Sequence, residues 1–372
     1  MISEKKWIKL WATMIILVPT VALFNYIIDP YGMNEKWMID GINNYKQTNT
    51  GYTYRFKTNI VMDKEFDTLL LGTSRIGVMD PEVVDGYLKG KSFNFESPAS
   101  TVEMQYKLFM YTLKHNNIKN LVYGIDFMTF NKSRTLEKTF PEFNELDEKI
   151  VAKERISNYD LYFNLETFKT SSTVLYKNLM NKKIVENRYL AKNGMRTYTE
   201  YQLNLKEGLY DSKRSINDSF REYYNNENGI YKNYEFSARY LDYFSKIIDE
   251  CKKNDIKRWV YIPPMMSEHF DSLNSAGYFD DFEHFKRELA KITNYIDFTG
   301  HNSITTNKEN YWDSSHLRVE LTKPLMARVF NDLSHAPKDF GVLVTEDNIE
   351  EHLKNLRDQL ESFDLNKTLK EF

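Results

Sequence analysis

The sequence predicts an α/β fold, in which a parallel sheet is covered by helices on both faces and follows one N-terminal transmembrane helix. Two patterns predict it: short aliphatic runs alternate with helical periodicities between residues 64 and 335, and residues 10–28 form a run without charge. Such alternation is typical of parallel sheets. With 372 residues, 41% of them hydrophobic, the chain can bury one large core or two modest ones.

Residues 1–28 are predicted to form an uncleaved signal anchor. The apolar run of about 19 residues is long enough to cross the hydrocarbon core of a bilayer, and no A-x-A cleavage site follows it. Lysines at positions 5, 6 and 9 precede the run, so the positive-inside rule places the chain from Asp29 onward outside the cytoplasm. The alternative, a buried amphipathic helix, lacks the required polar face. We therefore expect a single-pass protein of the cell membrane with an extracytoplasmic main domain.

Residues 29–63 are predicted to form a polar stalk, and the body begins near residue 64. Asp29-Pro-Tyr-Gly32 has turn chemistry that would end the anchor helix. Strands of the body are predicted at 66–71, 92–95, 120–125, 258–262 and 295–298. Helices are predicted at 101–114, 236–253, 279–292 and 318–333, where apolar residues recur every three or four positions.

Two segments depart from this alternation. Residues 131–232 are rich in Tyr, Asn, Lys and Glu and lack period-two strands, so we interpret them as a helical insertion or lid. Residues 336–372 are predicted to form a C-terminal helical tail, because Ile349, Leu353 and Leu356 recur with helical spacing. This tail helix has two alternatives, packing on the body or binding a partner.

Composition excludes several classes of partner and cofactor. The net charge of -3 comes from nearly balanced acidic and basic residues, so nucleic acid is not an expected partner. Cys251 is the only cysteine, which excludes an intramolecular disulfide, and we interpret it as a small core residue. The sequence has no metal-ligand spacing and no phosphate-binding glycine loop, so we expect no metal and no cofactor.

Ser74 is the first candidate catalytic residue. The apolar run Leu69–Leu71 is followed by Gly72, Thr73 and Ser74, so a buried strand ends in a glycine turn and a serine. In an open parallel sheet, functional sites form at the carboxyl ends of the strands, where a serine nucleophile is well placed. The alternative is that Ser74 only caps the helix that follows.

Asp313 and His316 are candidates for the other two members of a catalytic triad. They lie three residues apart, directly before a predicted helix. A serine hydroxyl needs an imidazole to accept its proton and a carboxylate to hold that imidazole in the right tautomer. The alternative is a helix cap followed by a surface histidine. The pair indicates a catalytic site only in combination with Ser74.

Seven segments resemble, in order, the sequence blocks of the SGNH hydrolase superfamily. They are Asp29-Pro-Tyr-Gly32, Leu71-Gly-Thr-Ser-Arg75, Phe93-Asn94, Tyr123-Gly-Ile-Asp-Phe127, Tyr261-Ile-Pro-Pro264, Asp297-Phe-Thr-Gly-His-Asn302 and Tyr311-Trp-Asp-Ser-Ser-His-Leu-Arg318. Over roughly residues 25–360, the chain is similar to membrane-anchored SGNH-like proteins encoded beside membrane-bound O-acyltransferases. These are relatives of the alginate O-acetylation proteins and, more distantly, of the lipoteichoic acid D-alanylation protein. The resemblance implies a three-layer α/β/α, flavodoxin-like SGNH domain over residues 64–335.

Carried over to this sequence, the resemblance makes Ser74 the nucleophile, His316 the general base and Asp313 the residue that orients it. It also makes the backbone around Ser74 part of an oxyanion hole. Family members usually add one donor from a glycine after the second strand and another from an asparagine after the third. Here Ala99 or Ser100 stands in place of the glycine, which leaves a backbone N–H but less conformational freedom.

Asp126 stands where the family has the asparagine. An ionised carboxylate that faces an oxyanion would destabilise it, so we expect Asp126 to be turned away, protonated, or neutralised by a cation such as Arg75. The alternative is that Asp126 only caps the following loop. Asn94, from the second block, and His269, which follows a strand at the same edge of the sheet, are further pocket candidates.

The resemblance implies O-acyl transfer, with acetyl as the expected group, to an extracellular polysaccharide through an acyl-enzyme at Ser74. The expected partners are a membrane-bound O-acyltransferase, that polysaccharide and, through the N-terminal helix, the membrane. One alternative is an esterase that removes such groups with water. The other is a non-catalytic scaffold of a polysaccharide-modifying complex, against which the set of Ser74, Asp313 and His316 argues. The insertion at 131–232 is the candidate groove for the acceptor sugar.

Overall fold

The computed structural model describes residues 4–33, 38–44, 46, 53–134, 158–180, 193–225 and 227–370. In these ranges the α-helices are α1 (Glu4–Ile28), α2 (Thr53–Asp63), α3 (Pro81–Leu88), α4 (Val102–His115), α5 (Tyr159–Tyr162), α6 (Leu165–Met180), α7 (Thr199–Lys206), α8 (Ser212–Tyr224), α9 (Ala238–Lys253), α10 (Ser267–Ser275), α11 (Phe279–Ala290), α12 (Thr322–Val329), α13 (Ile349–Asp358) and α14 (Leu365–Lys370). The strands are β1 (Thr68–Gly72), β2 (Ser92–Glu96), β3 (Asn120–Gly124), β4 (Lys257–Ile262), β5 (Tyr295–Asp297) and β6 (Val342–Val344).

The six strands of the described residues form one sheet in the order β2-β1-β3-β4-β5-β6. Strands β1 to β5 are parallel, and β6 pairs antiparallel with β5. The order 2-1-3-4-5 is one of the two common orders of doubly wound α/β sheets, and the direction of winding reverses between β1 and β3. Residues that follow β1 and β3 therefore meet at the edge where such sheets bind ligands.

Successive residues of each strand enter two separate cores, one on each face of the sheet. In β1, Leu69 and Leu71 pack on the face covered by α2, α4, α9, α11 and α13, whereas Leu70 packs on the face covered by α3 and α12. All residues of β1 are buried, as expected of a strand with helices on both sides. The predicted α/β architecture, a largely parallel sheet between two layers of helices, is confirmed.

Side-chain caps set the starts of several helices. Asp80 accepts a hydrogen bond from the N–H of Glu82 at 2.9 Å before α3, whose first residue is Pro81. Thr101 accepts one from the N–H of Met104 at 3.4 Å before α4. Each cap satisfies an N–H that has no partner within the helix. The sequence pattern did not indicate α3, because a helix of 8 residues is too short to display its periodicity clearly.

Helix α2 corrects the expectation that residues 29–63 form a stalk. All residues from Thr53 to Val61 are buried. Lys57 is fully buried, and its Nζ lies 3.3 Å from Oε1 of Glu96 at the end of β2. A buried lysine needs a partner of opposite charge. Because that partner is distant in the chain, the local sequence does not show that the lysine is buried, and this core helix therefore resembles a polar segment. The body therefore begins at residue 53 or earlier.

The predicted tail helix packs on the body. Helix α13 contributes Leu353 and Leu356 to the main core, and Nε2 of its His352 lies 2.7 Å from Oδ2 of Asp297 in β5. The preceding strand β6 extends the sheet; it has only 3 residues, too few for alternation to indicate it. Packing on the body is therefore the alternative that the structure shows, and the body extends past residue 335.

The expected insertion, residues 131–232, is helical where it is described. It contains α5 to α8, while residues 135–157 and 181–192 lie outside the described residues. Phe220 and Tyr223 of α8 belong to the main core. Helix α8 is therefore part of the body rather than a detachable lid.

Helix α1 is long and apolar enough to cross a membrane, by its length and composition. It has 25 residues, and the side chains of residues 4–20 are exposed. Its last two turns pack on α5 and α6 instead. The ring of Phe24 lies 5.4 Å from that of Phe168, and the ring of Tyr26 lies 5.3 Å from that of Tyr162. The body thus holds α1 by its C-terminal end.

Candidate active site

Ser74 lies at the carboxyl end of β1, on a sharp turn into a short 3-10 helix. Strand β1 ends at Gly72, Thr73 follows, and Ser74 opens the helix Ser74–Ile76. Gly72 has a φ of +155°, and a Cβ at this position would lie 2.4 Å from the carbonyl oxygen of Gly124. Only glycine permits this close approach of β1 and β3, and the resulting turn presents Ser74 at the edge of the sheet.

His316 lies against Ser74, although the two residues are 242 positions apart in the chain. Its Nε2 is 2.8 Å from Oγ of Ser74, and its Nδ1 is 2.7 Å from Oδ2 of Asp313. Asp313 also accepts hydrogen bonds from the backbone N–H groups of Ser315, at 2.7 Å, and of His316, at 2.9 Å. Carboxylate, imidazole and hydroxyl are thus connected in the arrangement of a Ser–His–Asp triad.

Backbone contacts close the loop that carries Asp313 and His316. Tyr311 and Leu317 form an isolated antiparallel bridge, and the N–H of Trp312 donates to the carbonyl of His316 at 2.8 Å. Because both ends of the loop are fixed, the imidazole has a defined position relative to the sheet edge.

The surroundings of Asp313 keep it ionised. Burial by itself would raise the pKa of its carboxyl group, but the neighbouring His316 and the N–H donors of the loop outweigh burial, and the pKa falls to about 2. A carboxylate that is ionised at neutral pH holds Nδ1–H of His316 and leaves Nε2 to accept the proton of Ser74. This is the tautomer that a general base requires.

Asp126, which follows β3, contacts a cation with one carboxylate oxygen and a hydroxyl with the other. Its Oδ1 lies 3.0 Å from Nη1 of Arg75, and its Oδ2 accepts a hydrogen bond from the hydroxyl of Thr73. Both charged side chains are buried, so each offsets the cost of desolvating the other. The side chain of Asp126 makes no capping hydrogen bond to the described helix Phe127–Phe130. Of the four expectations for Asp126, neutralisation by Arg75 is the one that the geometry shows.

Arg75 connects this pair to the loop of the triad. Its Nη2 donates to the hydroxyl of Tyr223 at 3.4 Å, and its guanidinium carbon lies 5.6 Å from the centre of that ring. The hydroxyl of Tyr223 donates in turn to Oγ of Ser315 at 3.2 Å. A continuous set of contacts therefore runs from Asp126 to the residue next to His316.

Backbone N–H groups are the candidate donors for an oxyanion. Ser74 is the first residue of its 3-10 helix, so its N–H has no acceptor within that helix. Ala99 has a φ of +54°, a left-handed conformation that glycine adopts freely and that costs other residues about 1–2 kcal/mol. The turn therefore keeps a glycine-like backbone despite the alanine. Next to it, Ser100 is buried, and its Oγ accepts a hydrogen bond from Gln105 at 3.0 Å.

Asn94 does not line the pocket, which corrects the expectation from the sequence. Its side chain is fully buried, and Nδ2 donates to the carbonyls of Ile76 and Met79, at 2.8 Å each. Its Oδ1 accepts from the N–H of Glu96 at 2.9 Å. The amide thus holds the turn that follows Ser74, and both of its N–H donors are used within the protein.

His269 is also fully buried, so its expected contact with substrate is corrected as well. Its Nδ1 lies 2.9 Å from Oγ of Ser314, and its ring packs edge-on against Tyr223 at 4.5 Å. Burial, and after it the charge of Arg75, holds the pKa of His269 well below its usual range. The neutral ring supports the loop of the triad through its contact with Ser314.

Three residues beside the triad were not indicated by the sequence. The ring of Tyr198 lies 6.4 Å from that of His316. Nη2 of Arg134 donates to the carbonyl of Ala99 at 2.7 Å. Glu222 is exposed to solvent on one side. Nearby protein atoms desolvate its carboxyl group and raise its pKa, and this effect outweighs the neighbouring His316, which lowers the pKa. All three come from the expected insertion, where unusual richness in polar and aromatic residues was the only signal.

The described residues contain one group of three possible metal ligands, Asp271, His301 and Glu361, whose ligand atoms lie within 4.8 Å of one another. Nε2 of His301 is 3.0 Å from Asp271, and the N–H of Glu361 donates to Asp271 at 3.1 Å. A hydrogen bond between the His301 and Asp271 side chains and the backbone hydrogen bond account for this group, and it shares no residue with the triad.

Fold and site together define a class of protein: a doubly wound α/β protein with serine, histidine and aspartate aligned at the carboxyl edge of its sheet. A scan of the chain against protein-family models and a search of curated proteins both find no match.

Proposed function

We propose that this protein transfers an O-acyl group, with acetyl the expected one, through an acyl-enzyme at Ser74 of an SGNH-type domain. The observation that carries the proposal is the contact of 2.8 Å between Nε2 of His316 and Oγ of Ser74, with Asp313 on the other ring nitrogen. An oriented imidazole next to a serine hydroxyl is the machinery that activates a serine nucleophile. A non-catalytic scaffold has no need of it.

The reaction has two halves with His316 as the proton carrier. Nε2 accepts the hydroxyl proton of Ser74 while Oγ attacks the carbonyl carbon of the acyl donor. When the tetrahedral intermediate collapses, the bond to the leaving oxygen breaks and His316 returns the proton to that oxygen. In the second half, His316 takes the proton of an acceptor hydroxyl, whose oxygen attacks the ester carbon. The bond between that carbon and Oγ of Ser74 then breaks, and His316 returns the proton to Oγ.

The oxyanion of both halves is stabilised by backbone donors. The N–H groups of Ser74 and Ala99 are the candidates, because the N–H of Ser100 donates to the carbonyl of Ser97 at 3.3 Å. Arg75 acts indirectly, because it pairs with Asp126 and thereby removes the net negative charge that would oppose an oxyanion.

A cavity next to the triad loop is a candidate acceptor site, although Ser74, Asp313 and His316 are not among its lining residues. It has a volume of about 430 Å³, and its lining includes Tyr210, Phe220 and Arg318. Tyr210 donates a hydrogen bond to the carbonyl of Trp312, and the guanidinium carbon of Arg318 lies 4.8 Å from the centre of that residue's ring. Aromatic and charged side chains in one concave surface suit the apolar faces and hydroxyls of a sugar. The proposed acceptor is an extracellular polysaccharide.

Helix α1 supports a location at the membrane. Its length and composition suit a single span, and the lysines before it favour an extracytoplasmic body. The proposed acyl donor in the cell is a membrane-bound O-acyltransferase, as the resemblance of the seven segments implies.

Mass spectrometry of the purified full chain tests this function. After incubation with an activated acetyl ester, we expect an acetyl adduct on the peptide that contains Ser74. With added oligosaccharides, we expect acetylation of a glycan in preference to release of acetate. Ser74→Ala is the control and should show neither product. Rapid release of acetate with no gain of mass on any of several glycans identifies an esterase, and neither adduct nor release overturns the catalytic proposal.

A further inference from the structure

Helix α6 buries a mostly polar set of side chains and exposes five large apolar ones, which share the outer side with polar residues such as Lys169 and Ser172. The side chains on its inner face are buried: Thr167, Ser171, Val174 and Asn178. The exposed large side chains on the opposite face, which we name the outer stripe, are Leu165, Phe168, Tyr176, Leu179 and Met180. At about 100° per residue the two sets occupy different sides of the helix. A helix on a water-facing surface normally buries its large apolar side chains instead of exposing five of them.

The polar face of α6 packs on the C-terminal end of α1. Asn25 of α1 is fully buried there, and its Oδ1 accepts a hydrogen bond from the hydroxyl of Ser171 at 2.9 Å. Its Nδ2 donates to the carbonyls of Tyr162, at 2.8 Å, and Asn164, at 3.2 Å. These contacts explain why an asparagine is tolerated in an apolar helix, and they fix α6 beside the last two turns of α1.

The body holds α5 and α6 in the same place. Nη1 of the buried Arg55 in α2 donates to both carboxylate oxygens of Asp160 in α5, at 2.9 Å each. The hydroxyl of Tyr31, just after α1, donates to Thr170 at 3.4 Å. The position of α6 relative to α1 is therefore set by contacts on both sides.

The length of α1 gives the depth of α6. At about 1.5 Å per residue, its 25 residues are about 37 Å long, against about 30 Å of hydrocarbon. Lys9 is the last charge before the apolar run. At the other end, the buried Lys46 donates to the carbonyls of Ile28, at 3.0 Å, and Asp29, at 2.8 Å. A span that begins after Lys9 and ends at this lysine places residues 21–28, and the helix beside them, in the leaflet nearer the body.

We infer that the outer stripe of α6 is immersed in the lipid of that leaflet and forms a second membrane attachment of this protein. The inference rests on the proposed membrane span of α1. Lipid is favoured as the occupant because the stripe continues the exposed apolar surface of α1, where Leu23 and Ile27 remain exposed beside it. Lys169 is exposed within the stripe, and its long side chain can extend its ammonium group to the phosphate headgroups.

This attachment restricts the motion of the body. A single helix lets a domain tilt over the membrane, whereas two contacts with the bilayer, one through α1 and one through α6, define its orientation. Ser74 is then held at a fixed height, which suits an exchange of acyl groups with a partner in the membrane.

Depth-dependent quenching in nanodiscs tests the inference on the full chain. Cys251 is replaced by serine; burial raises the pKa of its thiol to about 12, so it does not compete for label in any case. Single cysteines are introduced as Leu179→Cys in the outer stripe, Leu17→Cys in α1 and Lys354→Cys in α13. Each is labelled with a fluorophore and placed in bilayers of phosphatidylcholine and phosphatidylglycerol that carry nitroxides on the acyl chains.

We expect nitroxide lipids to quench the label at position 179 to an extent similar to that at 17, and to leave 354 unquenched. Quenching at 17 but not at 179 overturns the second attachment and leaves the anchor standing. No quenching at either position overturns the span of α1 as well. Efficient cross-linking of two chains through position 179 assigns the stripe to a second copy and also overturns lipid as its occupant.

Discussion

At the scale of single residues, the proposed reaction needs Ser74 and His316 together, because the hydroxyl is a nucleophile only while the imidazole takes its proton. We predict that Ser74→Ala and His316→Ala each reduce kcat for an acetyl ester by about 10⁴-fold or more. Acyl content of the surface polysaccharide in cells should fall with both. Ser334→Ala, at an exposed serine, is the control. Two variants that turn over the ester at the rate of the unaltered chain would show that the triad assignment is wrong.

Asp126 and Arg75 form a buried pair, so their charges should be coupled. We predict that Asp126→Asn keeps or raises kcat per folded molecule, since it removes a negative charge from the site. It should also lower the free energy of unfolding by about 3–5 kcal/mol, because Arg75 is left buried without its partner.

The double variant Asp126→Asn with Arg75→Met is the matched control for this pair. Because it removes both charges, it should be more stable in urea denaturation than Asp126→Asn alone. Additive losses of stability in the two single variants would show that the charges are not coupled.

His269 should make stability depend on pH. Its pKa in the folded protein lies well below the usual value of about 6.5, so only the unfolded chain takes up a proton as the pH falls below about 6.5. Its contribution to stability is therefore lost with falling pH, by up to about 1.4 kcal/mol per pH unit.

We predict that His269→Gln loses less free energy of unfolding between pH 7.5 and 5.5 than the unaltered chain, in the direction required by linkage. Urea denaturation at each pH measures it. His335→Gln, at an exposed histidine, should retain the slope of the unaltered chain. An unchanged slope in His269→Gln would mean that His269 is protonated in the folded state.

At the scale of elements, buried charges join helices to strands. Lys286 of α11 pairs with Asp297 of β5, and His352 of α13 approaches the same carboxylate at 2.7 Å. All three side chains are buried. The C-terminal helix is therefore connected to the sheet through one shared carboxylate, which is why it belongs to the body.

We predict that Lys286→Met lowers the free energy of unfolding by about 3–5 kcal/mol, because Asp297 loses its main partner in the interior. Lys246→Met is the matched control. Lys246 makes a surface pair with Asp242 at 2.7 Å, and such a pair is worth about 0–1 kcal/mol. Equal losses for the two variants in urea denaturation would contradict the structural role of the buried cluster.

At the scale of the whole molecule, the proposed function requires the body to lie outside the cytoplasm. We predict that a reporter active only outside the membrane, fused after residue 372, is active, because Lys5, Lys6 and Lys9 precede the apolar run. A reporter active only in the cytoplasm, fused at the same position, is the control and should be silent. The opposite pattern would reverse the topology and exclude chemistry on a surface polysaccharide.

The sequence by itself determined the elements whose signal is local. The run Leu69–Leu71 before Gly72 and Ser74 specified a buried strand, a glycine turn and a serine at the carboxyl end of that strand. The spacing of Asp313 and His316 allowed the carboxylate to reach the imidazole within one loop. Such patterns are readable because they follow from the geometry of a few adjacent residues.

Only the tertiary structure decided which distant residues meet. It brought His316 to Ser74 across 242 positions and paired Arg75 with Asp126. It also buried Lys57 against Glu96, in a segment that was predicted to be a stalk. It also turned Asn94 and His269 away from the pocket and into structural hydrogen bonds. The physical reason is that the burial and the partners of a side chain depend on strand order and helix packing, which bring together groups far apart in the chain. Local periodicity does not indicate these long-range contacts.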